Sequence, residues 1–167
     1  MEKNEAAPTL LIAWHSRTGA SEAMARAAAE EAAIHCNTEL CPCDRVEPEL
    51  LLRCSAYLFV CPENLGSMSG AMKEMFDRCY YPVLGRIEGR AYGSIIAAGS
   101  DGEGALRQLD RIVTGWRLKR VVDPMINNLG AQTPEEIAAP KTVGQDMLAR
   151  CREMGSALGA GVEMGIF

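Results

Sequence analysis

The sequence predicts an α/β fold: a doubly wound, five-stranded parallel sheet with helices on both faces, which makes a three-layer α/β/α sandwich. Two observations predict this class. Short apolar runs alternate along the chain with segments whose apolar residues recur at helical spacing, and that alternation implies crossover connections between parallel strands. The central runs are also apolar on both faces, as a sheet covered by helices on each side requires.

Five strands are expected, each a short apolar run: Thr9–Trp14, Thr38–Cys41, Ala56–Cys61, Ala91–Ala98 and Arg120–Ile126. Pro62 is expected to stop the third strand, and Pro124 indicates an edge or a bend in the last one. Helices are expected from Ala20, over Pro48–Leu52, Met72–Cys79 and Leu106–Val113, and from Lys141 to Gly155. A Gly-rich tail follows, and Thr133 with Glu136 forms a capping-box pattern before Pro140.

Composition bounds the function. The length of 167 residues suits one domain, residues 1–167, and 48% hydrophobic with 23% charged residues is an ordinary globular mixture. The net charge of −5 argues against nucleic-acid binding and against binding to anionic membranes. No apolar run approaches the ~18 residues of a membrane span, and residues 1–8 are too polar for a secretion signal. We therefore expect a cytoplasmic protein.

The seven cysteines also favour a reducing, cytoplasmic environment. Most lie inside apolar runs, where a reduced cysteine packs as a small hydrophobe. Cys41 and Cys43 are the one tight pair, and a spacing of one residue suits neither a zinc site nor a C-x-x-C redox pair. An end-of-strand role is the expectation, with redox or metal chemistry as the alternative, and no metal site is assigned.

Ligands of doubly wound sheets bind beyond the carboxyl ends of the strands, at the switch point. The loops after Trp14, Cys61 and Ala98 are therefore the candidate binding loops. The first consists of His15, Ser16, Arg17, Thr18, Gly19, Ala20 and Ser21. Its hydroxyls and the backbone N–H groups of a helix start suit a phosphate, although Ser and Thr also cap helices routinely. His15 either touches that phosphate or caps the turn, and Arg17 either pairs with it or is solvated.

The second and third loops suit a flat heterocycle. The second consists of Pro62, Glu63, Asn64, Leu65, Gly66, Ser67 and Met68, and the third of Gly99, Ser100, Asp101 and Gly102. Asn64 and Ser67 can bond the rim of a ring, Leu65 and Met68 can pack on it, and the glycines allow close approach of backbone. Each loop alone is more often an ordinary turn, and it is the presence of three such loops at the same end of one sheet that favours a site.

Residues 16–21 resemble the S/T-x-T-G-x-T/S phosphate loop of the flavodoxin-like NAD(P)H-dependent FMN reductase and quinone reductase family. Residues 62–78 resemble its second flavin loop and following helix, and residues 98–105 and 115–119 resemble subfamily signatures. The resemblance implies a flavodoxin-like fold and noncovalent FMN, with the phosphate on the first loop and the isoalloxazine between the other two. It further implies hydride transfer from the co-substrate NAD(P)H to a quinone or similar acceptor, without a catalytic side chain.

One feature departs from that family. Many relatives place an aromatic residue beside the flavin, where this chain has Leu65 and Ser67, and the third loop has no aromatic residue either. An open flavin face favours two-electron hydride exchange over one-electron transfer. The alternatives are an electron-carrier flavodoxin, which the acidic charge favours, and a flavin-less scaffold of the same fold. Asp101 and Glu103 either repel a reduced, anionic flavin or cap the next helix.

The resemblance also implies a homodimer or homotetramer in which a neighbouring subunit closes the site. The expected contacts are the segment Tyr80–Leu84, placed after the third helix, and the region around Trp116, because both combine aromatic and apolar residues with charged ones. The alternative is that these residues seal the core of their own subunit.

Overall fold

The computed structural model describes residues 7–167, so residues 1–6 of the segment judged too polar for a secretion signal lie outside the described range. The strands are β1 (Thr9–Trp14), β2 (Asn37–Pro42), β3 (Ala56–Asn64), β4 (Ser67–Met68), β5 (Ala91–Ala98), β6 (Lys119–Arg120) and β7 (Met125–Asn128). The helices are α1 (Ala20–His35), α2 (Pro48–Arg53), α3 (Gly70–Val83), α4 (Glu103–Gly115), α5 (Pro134–Ala138) and α6 (Gln145–Glu163).

The sheet has the order β2-β1-β3-β5-β6, and β7 continues alongside β5. All of these pairs are parallel, and only the short β4 runs antiparallel, against the end of β3. One face packs on α1 and α6, and the opposite face packs on α2, α3 and α4. The predicted doubly wound, three-layer, flavodoxin-like fold is confirmed, and its switch point lies between β1 and β3.

The third strand continues through Pro62, which the sequence analysis expected to stop it. His15 N–H donates to Val60 O at 3.0 Å, so Val60 faces β1, and Pro62 faces the same side two residues later. Because β1 ends at Trp14, Pro62 lies where no ladder bond needs its missing N–H. The strand therefore runs on to Asn64 and pairs with β4.

The last strand is divided, whereas the sequence predicted one run over Arg120–Ile126. Tyr92 pairs with Arg120 and Ile95 pairs with Met125, so the two residues 93–94 of β5 lie opposite the four residues 121–124. Pro124 cannot donate a ladder bond, and the surplus residues bulge. Gly93 makes room for them, because a Cβ at that position would lie 2.7 Å from Cγ2 of Val122.

The final helix begins and ends later than predicted, and it includes most of the Gly-rich tail. It runs over Gln145–Glu163 and packs closely on α1. A Cβ on Gly155 would lie 2.0 Å from Ala28 O, and one on Gly159 would lie 2.8 Å from Ala32 O. These glycines are therefore helical residues that let two backbones approach, and they do not form a flexible tail.

The aromatic residue Trp116 belongs to the core of its own subunit, which corrects its assignment to a subunit contact. It is 2% exposed, and its ring meets Phe76 edge-on at a centroid distance of 5.1 Å. Tyr80–Val83 is the last turn of α3 and does not follow that helix. Within residues 7–167, no helix combines the length and the apolar character that crossing a membrane requires.

Candidate functional site

A cavity of about 710 Å³ opens at the carboxyl ends of β1, β3 and β5, beside the switch point. All three predicted loops line it. Their lining residues are Ser16, Arg17, Thr18, Ala20, Ser21, Pro62, Glu63, Asn64, Leu65, Gly66, Gly99 and Ser100. The remaining candidates do not line the cavity: His15, Gly19, Ser67, Met68, Asp101 and Gly102.

The first loop turns into α1 through Gly19, whose φ of 99° lies in the left-handed region that glycine adopts without strain. Ser16 Oγ accepts the Gly19 N–H at 3.0 Å and so shapes this turn. The N-cap residue Gly19 contributes no side-chain cap, so within residues 7–167 Ser16 is the hydroxyl residue that takes a capping role, while Thr18 and Ser21 make no side-chain bond to this helix start. The first helical bond runs from Ala23 N–H to Gly19 O at 3.0 Å, so the N–H groups before Ala23 have no helical partner.

Ser21 provides an unusual donor at this helix start. Its residue is 1% exposed, it lines the cavity, and its Oγ has no hydrogen-bond partner among residues 7–167. A buried hydroxyl without a partner costs about 1–3 kcal/mol. An oxyanion at the end of the cavity would accept a hydrogen bond from it and from the free N–H groups of the first turn.

His15 links the first loop to α3. Its Nδ1 lies 2.8 Å from Oγ of the fully buried Ser69, the residue that precedes that helix. Burial lowers the pKa of His15, Arg17 lowers it further, and Asp44 opposes the shift. His15 is therefore a neutral hydrogen-bonding partner of Ser69 at neutral pH.

The lowered pKa predicts an acid-sensitive stability. Below the ordinary pKa of 6.5 the unfolded chain binds a proton at His15 before the folded chain does, so the free energy of unfolding falls as the pH drops through this window. In His15→Gln we expect a smaller loss of stability between about pH 7.5 and about pH 5 than in the wild type. Urea unfolding at both pH values measures this, and an equal loss in the two proteins would contradict it.

Glu63 connects the second loop to the third. Its Oε1 accepts the Gly102 N–H at 2.9 Å, and its Oε2 accepts the Ala105 N–H at 3.0 Å. The carboxylate thus lies at the N-terminus of α4 and caps it. Neither Asp101 nor Glu103 makes a cap bond there, so the capping alternative for those two residues is wrong. No local pattern signals a cap supplied from about 40 positions earlier.

A fourth wall was missed by the sequence analysis. It consists of Leu129, Ala131, Ile137, Ala138 and Lys141. Lys141 N–H donates to Thr18 O at 2.8 Å and fastens this wall to the first loop. Its Nζ donates to three carbonyl oxygens at the end of α5, at 2.6, 3.0 and 2.6 Å. The capping-box pattern predicted the short helix, but nothing in the pattern placed it against the cavity.

None of the residues that line the cavity, in the part of the chain that the structure describes, is aromatic. Leu65 forms the tip of the second loop with a positive φ of 53° and a fully exposed side chain. The apolar side chains of the fourth wall, among them Leu129, Ala131 and Ile137, are instead aliphatic. The absence of an aromatic stacking residue, expected from the sequence, therefore extends to the whole lining.

A sequence model of the family described as NADPH-dependent FMN reductase matches residues 46–126. This segment contains the second and third loops and the helices that follow them. The match covers just under half of the 167-residue chain and shows a similarity to that family over this segment. The first loop and the fourth wall lie outside the matched segment. No curated protein sequence gives a significant match.

Solved structures of the same fold extend the likeness to nearly the whole chain. A flavodoxin from the domain Archaea has a TM-score of 0.75 at 13% identity, with 93% of this chain and 99% of that chain covered. A WrbA-like flavodoxin from Agrobacterium tumefaciens has a TM-score of 0.71 at 18% identity, with 94% and 98% covered. A flavone reductase has a TM-score of 0.71 at 14% identity, and this chain, 93% of it matched, spans only 63% of that enzyme. At such identities the likeness shows the fold alone.

Proposed function

We propose that this protein is an FMN-dependent oxidoreductase that passes hydride from NAD(P)H to a quinone or similar small acceptor. The cavity at the switch point carries the proposal, because its first loop suits an oxyanion and its lining, within residues 7–167, contains aliphatic but no aromatic side chains. FMN, when bound, supplies the hydride-accepting and hydride-donating chemistry. The protein supplies position, electrostatics and an accessible face.

The first loop would hold the phosphate. The buried Ser21 hydroxyl would gain the partner that it lacks, and Thr18 would add a second hydroxyl at the same helix start. Arg17 is exposed at the cavity and forms no ion pair within residues 7–167, so its guanidinium is free to neutralise a phosphate. The positive end of α1 favours the same charge.

The second and third loops would hold the ring. Asn64 and Gly66 of the second loop and Gly99 and Ser100 of the third loop line the cavity. The third loop is held in place from behind, because Asn128 Nδ2 donates to Ser100 O at 2.6 Å and Leu129 N–H donates to Ala98 O at 2.8 Å. A preformed slot of this kind orients a bound ring without a large ordering cost.

We assign no side chain to nucleophilic catalysis. Cys61 lies within β3, directly before the second loop, but its complete burial raises the pKa of the thiol to about 12. Such a thiol is inert at neutral pH. All seven cysteines are free thiols, which suits the reducing cytoplasm that we propose as the location.

Steady-state kinetics test the enzyme proposal. Since NAD(P)H and the acceptor would use the same aliphatic end of one cavity in turn, double-reciprocal plots of NADPH oxidation at several quinone concentrations should give parallel lines. A high concentration of either substrate should inhibit competitively against the other. Intersecting lines would contradict the shared site, and absence of NADPH and NADH oxidation by FMN-loaded protein would contradict the function.

An electron carrier is the second candidate, favoured by the acidic charge of −5 and by a fold shared with flavodoxins. NAD(P)H distinguishes the two candidates. The proposed reductase takes hydride from NADPH or NADH without another protein, whereas a carrier needs a separate reductase. A chain that binds no flavin at all would be the third candidate, a scaffold of the same fold.

We also propose a homodimer or homotetramer. Tyr81 is 81% exposed and Leu84 is 46% exposed at the end of α3, and the Tyr80 and Tyr81 rings meet edge-on at 5.0 Å. This aromatic surface suits an interface core. Light scattering should give at least twice the mass of one chain, and a monomer of full activity would contradict a site shared between subunits.

A further inference from the structure

Glu63 joins two loops that lie about 40 positions apart in the sequence. Each of its carboxylate oxygens accepts one backbone N–H from the start of α4, at 2.9 Å from Gly102 and 3.0 Å from Ala105. Charge-assisted bonds of this kind are stronger than neutral ones. Two N–H donors of this helix start, those of Gly102 and Ala105, are therefore committed to Glu63.

Two further contacts tighten the same junction. Met68 N–H donates to Oε1 of Gln108 at 2.8 Å, which ties the far end of the second loop to α4. Gly104 lies directly against Gly66, because a Cβ on Gly104 would be 2.1 Å from Gly66 O. The backbones of the second loop and of the start of α4 are thus in contact. This contact leaves no room for a side chain at Gly104.

The junction borders the cavity. Glu63, Asn64, Leu65 and Gly66 of the second loop line it, and so do Gly99 and Ser100, which lie just before α4. The tip at Leu65 and Gly66 is exposed and has positive φ angles of 53° and 72°. The position of the second loop relative to the start of α4 is fixed by the Glu63 bonds and by the contact between Gly104 and Gly66.

We propose that Glu63 is a positioning residue of the cavity, and that its two-oxygen bond to α4 fixes the width of the slot between the second and third loops. The proposal rests on the proposed function in naming FMN as the occupant of that slot. A carboxylate is required because both partners are donors. The amide of a glutamine accepts with one group only, and its NH₂ opposes the other N–H.

The test compares Glu63→Gln with Glu103→Gln. Glu103 is the matched control, because it is an exposed acid in the first turn of the same helix and makes no cap bond. Both variants lose one negative charge at one helix start, but only Glu63→Gln breaks the tie. We expect FMN affinity to fall about 10- to 100-fold in Glu63→Gln and to stay near the wild-type value in Glu103→Gln.

Hydrogen exchange of the apo proteins gives a readout that needs no flavin. Glu63→Gln should speed the exchange of the Gly102 and Ala105 amides and of amides in residues 62–68, while amides of β1 and α1 keep their rates. Unchanged exchange at these amides would contradict the bonds from Glu63 to the start of α4. Faster exchange with unchanged FMN affinity would overturn the positioning role.

A failure of the proposed function gives a different combination of results from a failure of the Glu63 proposal. If the wild type binds no FMN while Glu63→Gln still speeds the exchange, the occupant is wrong and the positioning role toward FMN falls with it. If Glu103→Gln loses as much affinity as Glu63→Gln, the effect belongs to the charge at the helix start, and the geometric role of Glu63 is overturned.

Discussion

In Ser21→Ala, FMN binding is expected to weaken by about 10- to 150-fold, while the apo protein unfolds at the same temperature as the wild type or a higher one. Both effects follow from one atom. Ser21 Oγ is buried without a partner in the apo chain, so its removal relieves an unpaired polar group. In the complex the same hydroxyl would donate to a charged phosphate oxygen. Titration of FMN and thermal unfolding of the apo protein measure the two effects separately.

Ser94→Ala is the matched control for this prediction. Ser94 lies on β5, is fully buried and also has an unpartnered Oγ, but it does not line the cavity. Its loss should leave FMN affinity unchanged. Thr18→Ala should weaken binding within the same range as Ser21→Ala. If wild type, Ser21→Ala and Thr18→Ala bind FMN with equal affinity, the proposal that the first loop binds the phosphate is contradicted.

In Gly155→Ala, the free energy of unfolding is expected to fall by about 2 kcal/mol, because the new methyl group overpacks a tight helix contact. Helix propensity alone predicts the opposite sign, since alanine is favoured over glycine by about 1 kcal/mol inside a helix. Packing prevails because the Cβ would lie 2.0 Å from Ala28 O, a backbone atom that cannot rotate away. Chemical denaturation measures the change.

Gly115→Ala separates packing from propensity. Gly115 is exposed at the last position of α4, and a Cβ there would meet no atom within 4 Å. We expect this variant to be as stable as the wild type or slightly more stable. A Gly155→Ala protein that gains stability in parallel with Gly115→Ala would show that α6 does not pack on α1 as described.

The fold and three walls of the cavity could be predicted from the sequence because local patterns carry them. Apolar runs such as Thr9–Trp14 and Ala91–Ala98 mark buried strands, and the carboxyl ends of parallel strands meet at one edge of the sheet. The loops after these strands were therefore predicted to lie together. The role of the first-loop hydroxyls as phosphate ligands was predicted from residue type and position alone.

What the sequence analysis missed depends on contacts between distant residues. The cap of α4 comes from Glu63, and the fourth wall is fastened by Lys141 to Thr18, neither of which leaves a periodic signal. Gly155 was expected near the end of a helix, because the prediction did not include the neighbouring backbone that makes glycine necessary. Trp116 was placed at an interface because a mixture of aromatic, apolar and charged residues does not reveal which of them face the core.

Anaerobic mixing of the FMN-loaded protein with NADPH, and separately with NADH, tests the central claim most directly. The proposed function predicts that the visible absorbance of bound oxidised flavin bleaches with at least one of the two donors, without any added reductase. The absorbance should return when a quinone is then added. A flavin band that stays unchanged with both donors, but bleaches with dithionite, would contradict an NAD(P)H-dependent reductase.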